Sequence, residues 1–409
     1  MHSARARGDV TGVAVMETQM SSTHVKGFNG LRALAVMLVF LDHKARIHGF
    51  NLSDLGVWMF FVLSGYLIIG ELHRQRRRIE DGVTGARAQM RVFFTKRALR
   101  IFPVYYAVLC VLFVLQHFYR HAGPDLGFAY HFTYTSNVWI GLVTRHWVGP
   151  FGVFWSLAIE QQFYLVAPFV FLLTPSRLHP LVCVAAIVGG GIAHASMYAA
   201  HVDDITIYVL SPWNFSILAI GGLGAMASAM PRSRRAVQRV FGGPLTLALG
   251  VAGIVFFAAS AQWLGSDYPG PNAGFDLALT GSVAAVVLWV VHNQASRVVA
   301  ILDLPPLAYF GTISYGFYLM HNFIPNPLGP ALAMYAGVHV EPALIETFGV
   351  ALDFALSATA AALSWRFLEA PVMSLRRRLT TTGATTATRR TDAASAPAQR
   401  TAGAARNAG

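Results

Sequence analysis

Apolar residues in this chain gather into ten long runs separated by short polar stretches, at roughly 31–49, 54–72, 101–119, 152–173, 181–199, 213–230, 241–263, 273–292, 306–324 and 344–366. A helix crossing about 30 Å of hydrocarbon needs about 20 apolar residues. The pattern therefore predicts an all-α fold, a polytopic membrane bundle of about ten transmembrane helices. Residues 30–372 form one membrane domain in this reading. Residues 1–29 and 373–409 lack apolar runs and are expected to be disordered cytoplasmic tails, the second being rich in Thr, Ala and Gly. No internal repeat is evident. Gly189–Gly191 and the "GGLG" at 221–224 are expected to let helices pack closely rather than to bind a nucleotide.

Composition supports the membrane reading: 55% of the residues are hydrophobic and only 12% charged, against about 25% charged in soluble domains. The net charge of +12 could suggest nucleic acid, but its distribution argues otherwise. With the N-terminus in the cytoplasm, 27 Lys and Arg fall inside and 4 outside. That is the positive-inside bias. Both termini are then expected in the cytoplasm, with the chain in the cell (inner) membrane, surrounded by lipid. The first 28 residues carry no cleavable apolar signal, so the first span is expected to act as an uncleaved anchor. Cys110 and Cys183 lie in apolar runs, which argues against a disulfide framework.

Polar residues inside apolar runs carry the chemistry, because each costs free energy unless paired or used. In "GLRALAVMLVFLDHKARIHG" (30–49), Arg32 and His43 are eleven residues apart. Eleven residues make three helical turns and about 20°, so the two share a face, about 16 Å apart along the axis. The plainer alternative is that Arg32 reaches lipid headgroups while His43 bonds a neighbouring helix. In "FWSLAIEQQFYL" (154–165), Ser156, Glu160 and Tyr164 share a face at i, i+4, i+8. Glu160 and His43 are expected at similar depth, as acid and base. Arg97 and Arg100 lie one turn apart in "RVFFTKRALRIFPVYY" (91–106), on an expected interfacial helix whose Phe93 and Phe94 face lipid. They suit either anionic lipid or the phosphates of a nucleotide-bearing ligand. Ser314, Tyr318 and His321 in "SYGFYLMHNF" (314–323) form a further polar stripe. No spacing suggests a metal site, and catalysis is expected to need no metal.

Taken in order, these stretches resemble the acyltransferase-3 family of membrane-bound O-acyltransferases, over residues 27 to about 372. "GLRALAVMLVFLDH", "GVWMFFVLSGYLI" (56–68), "KRALRIFPVYY", "WSLAIEQQFYL", "SYGFYLMH" and "FLEAP" (367–371) carry the resemblance. The chain departs from the family's usual residues at Asn29, Trp58, Gln161, Asn322 and Ala370. The resemblance is to stand-alone members without an extracytoplasmic hydrolase domain. It implies transfer of an acyl group, usually acetyl, from cytoplasmic acyl-CoA to a hydroxyl of a surface polysaccharide, a lipid-linked glycan or a natural product such as a macrolide. No tightly bound cofactor is implied. Arg32, Arg97 and Arg100 would hold the CoA phosphates, and His43 would be the general base, with Glu160 or Asp42 supporting its charge. Ser156, Tyr164, Ser314, Tyr318 and His321, with Asp42, are then substrate-site candidates. Direct transfer and a transient acyl-histidine both fit. A proton-coupled secondary transporter, with His43 and Glu160 as the relay, is the alternative function.

Overall fold

The computed structural model describes residues 25–45, 50–119, 126–264, 273–324 and 342–374, and no strand occurs among them. Most of the two expected tails lies outside the described residues. A helix stands at each of the ten apolar runs: α1 (Phe28–Ala45), α2 (Leu52–Glu80), α3 (Ala86–Tyr119), α4 (Phe154–Leu173), α5 (His179–Ala199), α6 (Ser211–Ala229), α7 (Pro244–Leu264), α8 (Ala273–His292), α9 (Pro305–Met320) and α10 (Pro342–Ser364).

By length and composition seven of these helices can cross a membrane, and an eighth if the pair bent by 57° at Arg235–Phe241 and Pro244–Ser260 is one span. That is fewer than the expected ten. The two others are the helices with the most chemistry or the least length. Helix α1 carries Arg32, Asp42 and Lys44 within 18 residues, and α9 is only 16 residues long.

Helix α1 tolerates its charges because it is wrapped by protein. It packs between α2 and α9, and Ala35, Val36 and Val39 are fully buried. Lys44, also buried, lies 3.5 Å from the Asp353 carboxylate and donates to the Ile324 carbonyl at 2.8 Å. The outer helices show the opposite pattern. Leu165, Phe169 and Leu173 on α4, and Leu181, Val188 and Ile192 on α5, are exposed apolar side chains. An apolar outer surface of this kind belongs in lipid.

Glycine allows close helix crossings. A methyl group at Gly65 would overlap the Leu218 carbonyl, and one at Gly221 the Val62 carbonyl, so α2 and α6 touch backbone to backbone there. Gly190 plays the same part between α5 and α6, while Gly189 and Gly191 face open space.

One local expectation is corrected. The segment before the third apolar run is not a separate interfacial helix, because 86–119 is continuous. Phe93 is fully buried, and its ring lies against Tyr164 with centroids 6.5 Å apart. Phe94 packs on Phe169. Burying two phenyl rings against α4 removes more apolar surface from water than a headgroup position would.

Candidate active site

Two hollows lie side by side in the bundle and share Val57 and Tyr318 as a common wall. The smaller, about 90 Å³, is lined by Arg32 from α1, Arg97 and Arg100 from α3, Ser156, Glu160 and Tyr164 from α4, and Ser314 and Tyr318 from α9. The periodicities read from the sequence therefore converge. The i, i+4, i+8 face of α4 does look inward, opposite the arginines.

Within this hollow Arg32, Arg100 and Glu160 lie in one another's electrostatic field. Glu160 is flanked by Ser64 and Tyr164 and sits in the field of Arg32 and Arg100. Ser64 Oγ and Tyr164 OH are 2.8 Å apart. Arg97 Nη2 donates to Glu71 Oε2 at 3.1 Å, and its guanidinium lies over the rings of Phe93 and Tyr164 at 5.5 and 5.6 Å. Such stacking suits a planar guanidinium. Lys96 Nζ donates to the other Glu71 oxygen at 2.9 Å. Sequence reasoning missed Glu71 and Ser64. The signal for Glu71 was available: it is an acid inside the end of the 54–72 apolar run, just before the basic stretch that opens at Arg74.

His43 is not in this hollow. It lines the larger one, about 560 Å³, with Asp42, Asp54, Tyr208, His194 and Asp276. Glu160 and His43 thus line different hollows, and the expected pairing of acid and base is not what the structure builds. The proton-relay transporter, which relied on that pair, loses its basis. Equal depth along two helix axes places groups at one level, and the rotation of each helix decides which hollow each enters. Arg32 and His43 share a face of α1 but stand three turns apart along it, and they enter different hollows on either side of the Tyr318 wall.

The partner of His43 is His321, beyond the end of α9. Nδ1 of His43 and Nε2 of His321 are 2.9 Å apart, with ring planes 8° apart. His321 Nδ1 is 2.7 Å from the Tyr318 carbonyl. The tautomers follow, because a carbonyl oxygen only accepts. His321 Nδ1–H donates to Tyr318, so in the neutral ring its Nε2 carries a lone pair. His43 Nδ1–H donates to that lone pair, which leaves Nε2 of His43 unprotonated. A neutral imidazole with a free Nε2 is the form that accepts a proton. His321 is buried and His43 is open to the larger hollow.

The other polar candidates are placed as follows. Tyr318 OH and Ser156 Oγ are 2.6 Å apart, in the shared wall. Ser314 Oγ donates to the Gly311 carbonyl. Asp54, Asp276 and His194 line the larger hollow and were missed, although Asp54 and Asp276 are carboxylates in apolar runs, the criterion that found Glu160.

A helical bundle with an apolar outer face, a half-buried cluster of three arginines and a histidine poised as a base defines a multi-pass membrane protein with an internal polar site. Residues 25–364 match the acyltransferase domain that defines the acyltransferase-3 family, and the chain belongs to that family. It is 27% identical over 382 residues to the peptidoglycan O-acetyltransferase OatA of Listeria monocytogenes, covering 87% of this chain and 57% of the relative. It is 25% identical over 383 residues to the O-acetyltransferase OatA of Staphylococcus aureus, covering 87% and 58%. The putative membrane-bound transacylase BcsY of Komagataeibacter xylinus is 28% identical over 323 residues, 72% of each chain. The chain thus spans little more than half the length of the two O-acetyltransferases. No solved structure matches it.

Proposed function

We propose that this protein moves an acyl group, acetyl being the simplest, from cytoplasmic acyl-CoA to a hydroxyl of a glycan or a glycosylated natural product. The observation that carries the reading is the donor–acceptor order at His43, which frees Nε2 on the far side of a wall shared with the arginine hollow. The activities for which the relatives are named, O-acetylation and transacylation, supply the reaction class.

In this reading Arg32, Arg97 and Arg100 bind the CoA phosphates, where charge-assisted bonds are strongest. The thioester then reaches past Val57 and Tyr318 toward His43. His43 Nε2 takes the acceptor's hydroxyl proton as the oxygen bonds to the acyl carbon. The carbon–sulfur bond breaks, and the thiolate leaves with that proton. His321 orients His43, and Asp42 offsets the imidazolium charge. Glu160 positions the arginines instead of serving the base. The test is incubation of the purified protein with labelled acetyl-CoA and a panel of hydroxyl acceptors, read by mass spectrometry. Ester formation with release of free CoA is expected. Absence of both acetyl-CoA binding and turnover would sink the reading.

Glu71 positions Arg97 and Lys96. Glu71→Gln weakens that ion pair at a cost of about 1 kcal/mol, or roughly fivefold in KM for acyl-CoA. The kcat is expected to change little, and Glu71→Asp to recover part of the loss. A fall in kcat with an unmoved KM would instead mark Glu71 as a participant in chemistry.

The orientation proposed is that of the positive-inside count, with the basic turn between α2 and α3 in the cytoplasm of a cell whose inner membrane holds the protein. Asp81 is exposed in that turn. With Cys110→Ser removing the exposed native thiol, Asp81→Cys is expected to resist an impermeant maleimide on intact cells and react after lysis. Efficient labelling from outside would invert the topology.

A further inference from the structure

The two hollows differ in the sign of their charge. The smaller is lined by three arginines and one glutamate. The larger is lined by Asp42, Asp54, Asp204 and Asp276 and, among the described residues, by no lysine or arginine. We propose, resting on the acyl-transfer reading above, that the larger hollow is the acceptor site and that it selects a polyhydroxylated acceptor bearing a protonated amine, an amino-sugar glycoside.

The carboxylates act as one field, since Asp54 lies in electrostatic range of both Asp42 and Asp276. The nearest basic side chain in sequence, Lys44, is turned away and held by Asp353 and the Ile324 carbonyl. Asp276 accepts from Tyr198 OH at 3.0 Å and is 2.7 Å from His194 Nε2. Among the described residues it is the one aspartate of the four with an ion-pair partner.

Aromatic faces accompany the acids. Trp58, Trp147 and Trp155 line the same hollow, and Trp155 packs on Tyr208 with centroids 4.6 Å apart. Indole faces bind both ammonium groups and the apolar faces of sugar rings. Trp58 is only 2% exposed, yet its indole N–H has no partner among the described residues. A buried donor left unpaired costs free energy. The volume of about 560 Å³ falls within the usual range for small-molecule sites.

The charge pattern also settles which group of the acceptor reacts. An ammonium held among carboxylates keeps its proton and has no lone pair, so it does not attack. The hydroxyl that reaches His43 Nε2 loses its proton there, forms the new carbon–oxygen bond, and displaces the thiolate. The product is an ester beside an intact amine. Anionic molecules are repelled from this hollow and drawn to the arginine one, so charge sorts acceptor from donor.

The test uses the purified full chain, acetyl-CoA, and three matched oligosaccharides: chitosan oligomers with free amines, the same oligomers N-acetylated, and the same oligomers N-succinylated. Ester formation on the free-amine form is expected at a kcat/KM about tenfold above the N-acetylated form, with the anionic form last. Asp54→Asn with Asp204→Asn is expected to erase most of that preference, and size-exclusion chromatography checks its folding. If the pair fails to fold, Asp204→Asn alone, at an exposed position, is expected to lower the preference about threefold. A wild-type preference for the neutral or anionic form overturns the proposal, as does a ranking unchanged in these variants. Equilibrium binding of the three oligomers without acetyl-CoA gives the same ranking independently of turnover. Acetyl-CoA that is neither bound nor consumed would defeat the acyl-transfer reading, and the binding ranking would then judge the hollow alone.

Discussion

Replacing His43 by alanine is expected to lower kcat by about 10²–10⁴-fold, the usual loss on removing a general base, while acyl-CoA still binds. The expectation rests on the hydrogen-bond order from Tyr318 through His321 to His43. His43→Gln separates a catalytic from a packing role, because glutamine keeps a donor for His321 but takes no proton at the required strength. Near-normal turnover in His43→Gln would falsify the catalytic assignment. The relay adds a second expectation. His321→Ala leaves the His43 ring without the acceptor that sets its tautomer, so kcat should fall with little change in KM for either substrate. His321→Gln, with a side-chain carbonyl that can accept from His43 Nδ1–H, should recover part of the loss. An unchanged kcat in His321→Ala would show that the tautomer is set elsewhere.

The second large effect is expected at the arginines. Arg97→Ala with Arg100→Ala should raise KM for acyl-CoA about 10²-fold or more, taking each lost charge-assisted bond as about 1.5–3 kcal/mol. KM for the acceptor should stay within a small factor. Arg97→Ala does not strand Glu71, which keeps Lys96 at 2.9 Å, so the effect reads ligand binding more than instability. Arg97→Lys sharpens the assignment. It keeps the charge but loses the planar fork stacked between Phe93 and Tyr164, and it should fall between wild type and alanine. Equal rises in both KM values would point to a lipid-anchoring role for this stretch.

Much of this arrangement could be read from residue order because membrane helices leave few choices. Each apolar run became a helix, and the polar faces of α1, α3, α4 and α9 turned inward because lipid offers polar groups no partner. Arg32, Arg97, Arg100, Ser156, Glu160 and Tyr164 share one hollow for that reason. The partners of His43 were harder to foresee. Depth along a helix is linear in sequence, but which neighbour a side chain meets depends on helix rotation, tilt and the ends of other helices. His321 lies just past the end of α9, where the helix tightens, so the stripe that flagged it did not say which side chain it would meet. Phe93 misled for a related reason. A phenylalanine beside basic residues suits an interface equally well as an outward anchor or an inward plug, and only the position of α4 decides. The span count fell short where function intervenes, since Arg32, Asp42 and Lys44 give α1 a charge content that length and hydropathy rules reject.

The wall between the two hollows has a consequence for the cell's energy supply. Val57 and Tyr318 line both hollows, with the Ser156–Tyr318 hydrogen bond in the same wall. In an acyl transfer that draws its donor from the cytoplasm and its acceptor from the opposite side, this wall stands between two aqueous compartments held at different voltages. An enzyme of this plan must also be an insulator. In that reading the tyrosine ring has to let a thin thioester through yet block a continuous file of water, along which protons would otherwise run down their gradient. Truncating that ring should therefore reveal itself first as proton leakage into sealed vesicles under an imposed potential, before any measurement of transfer.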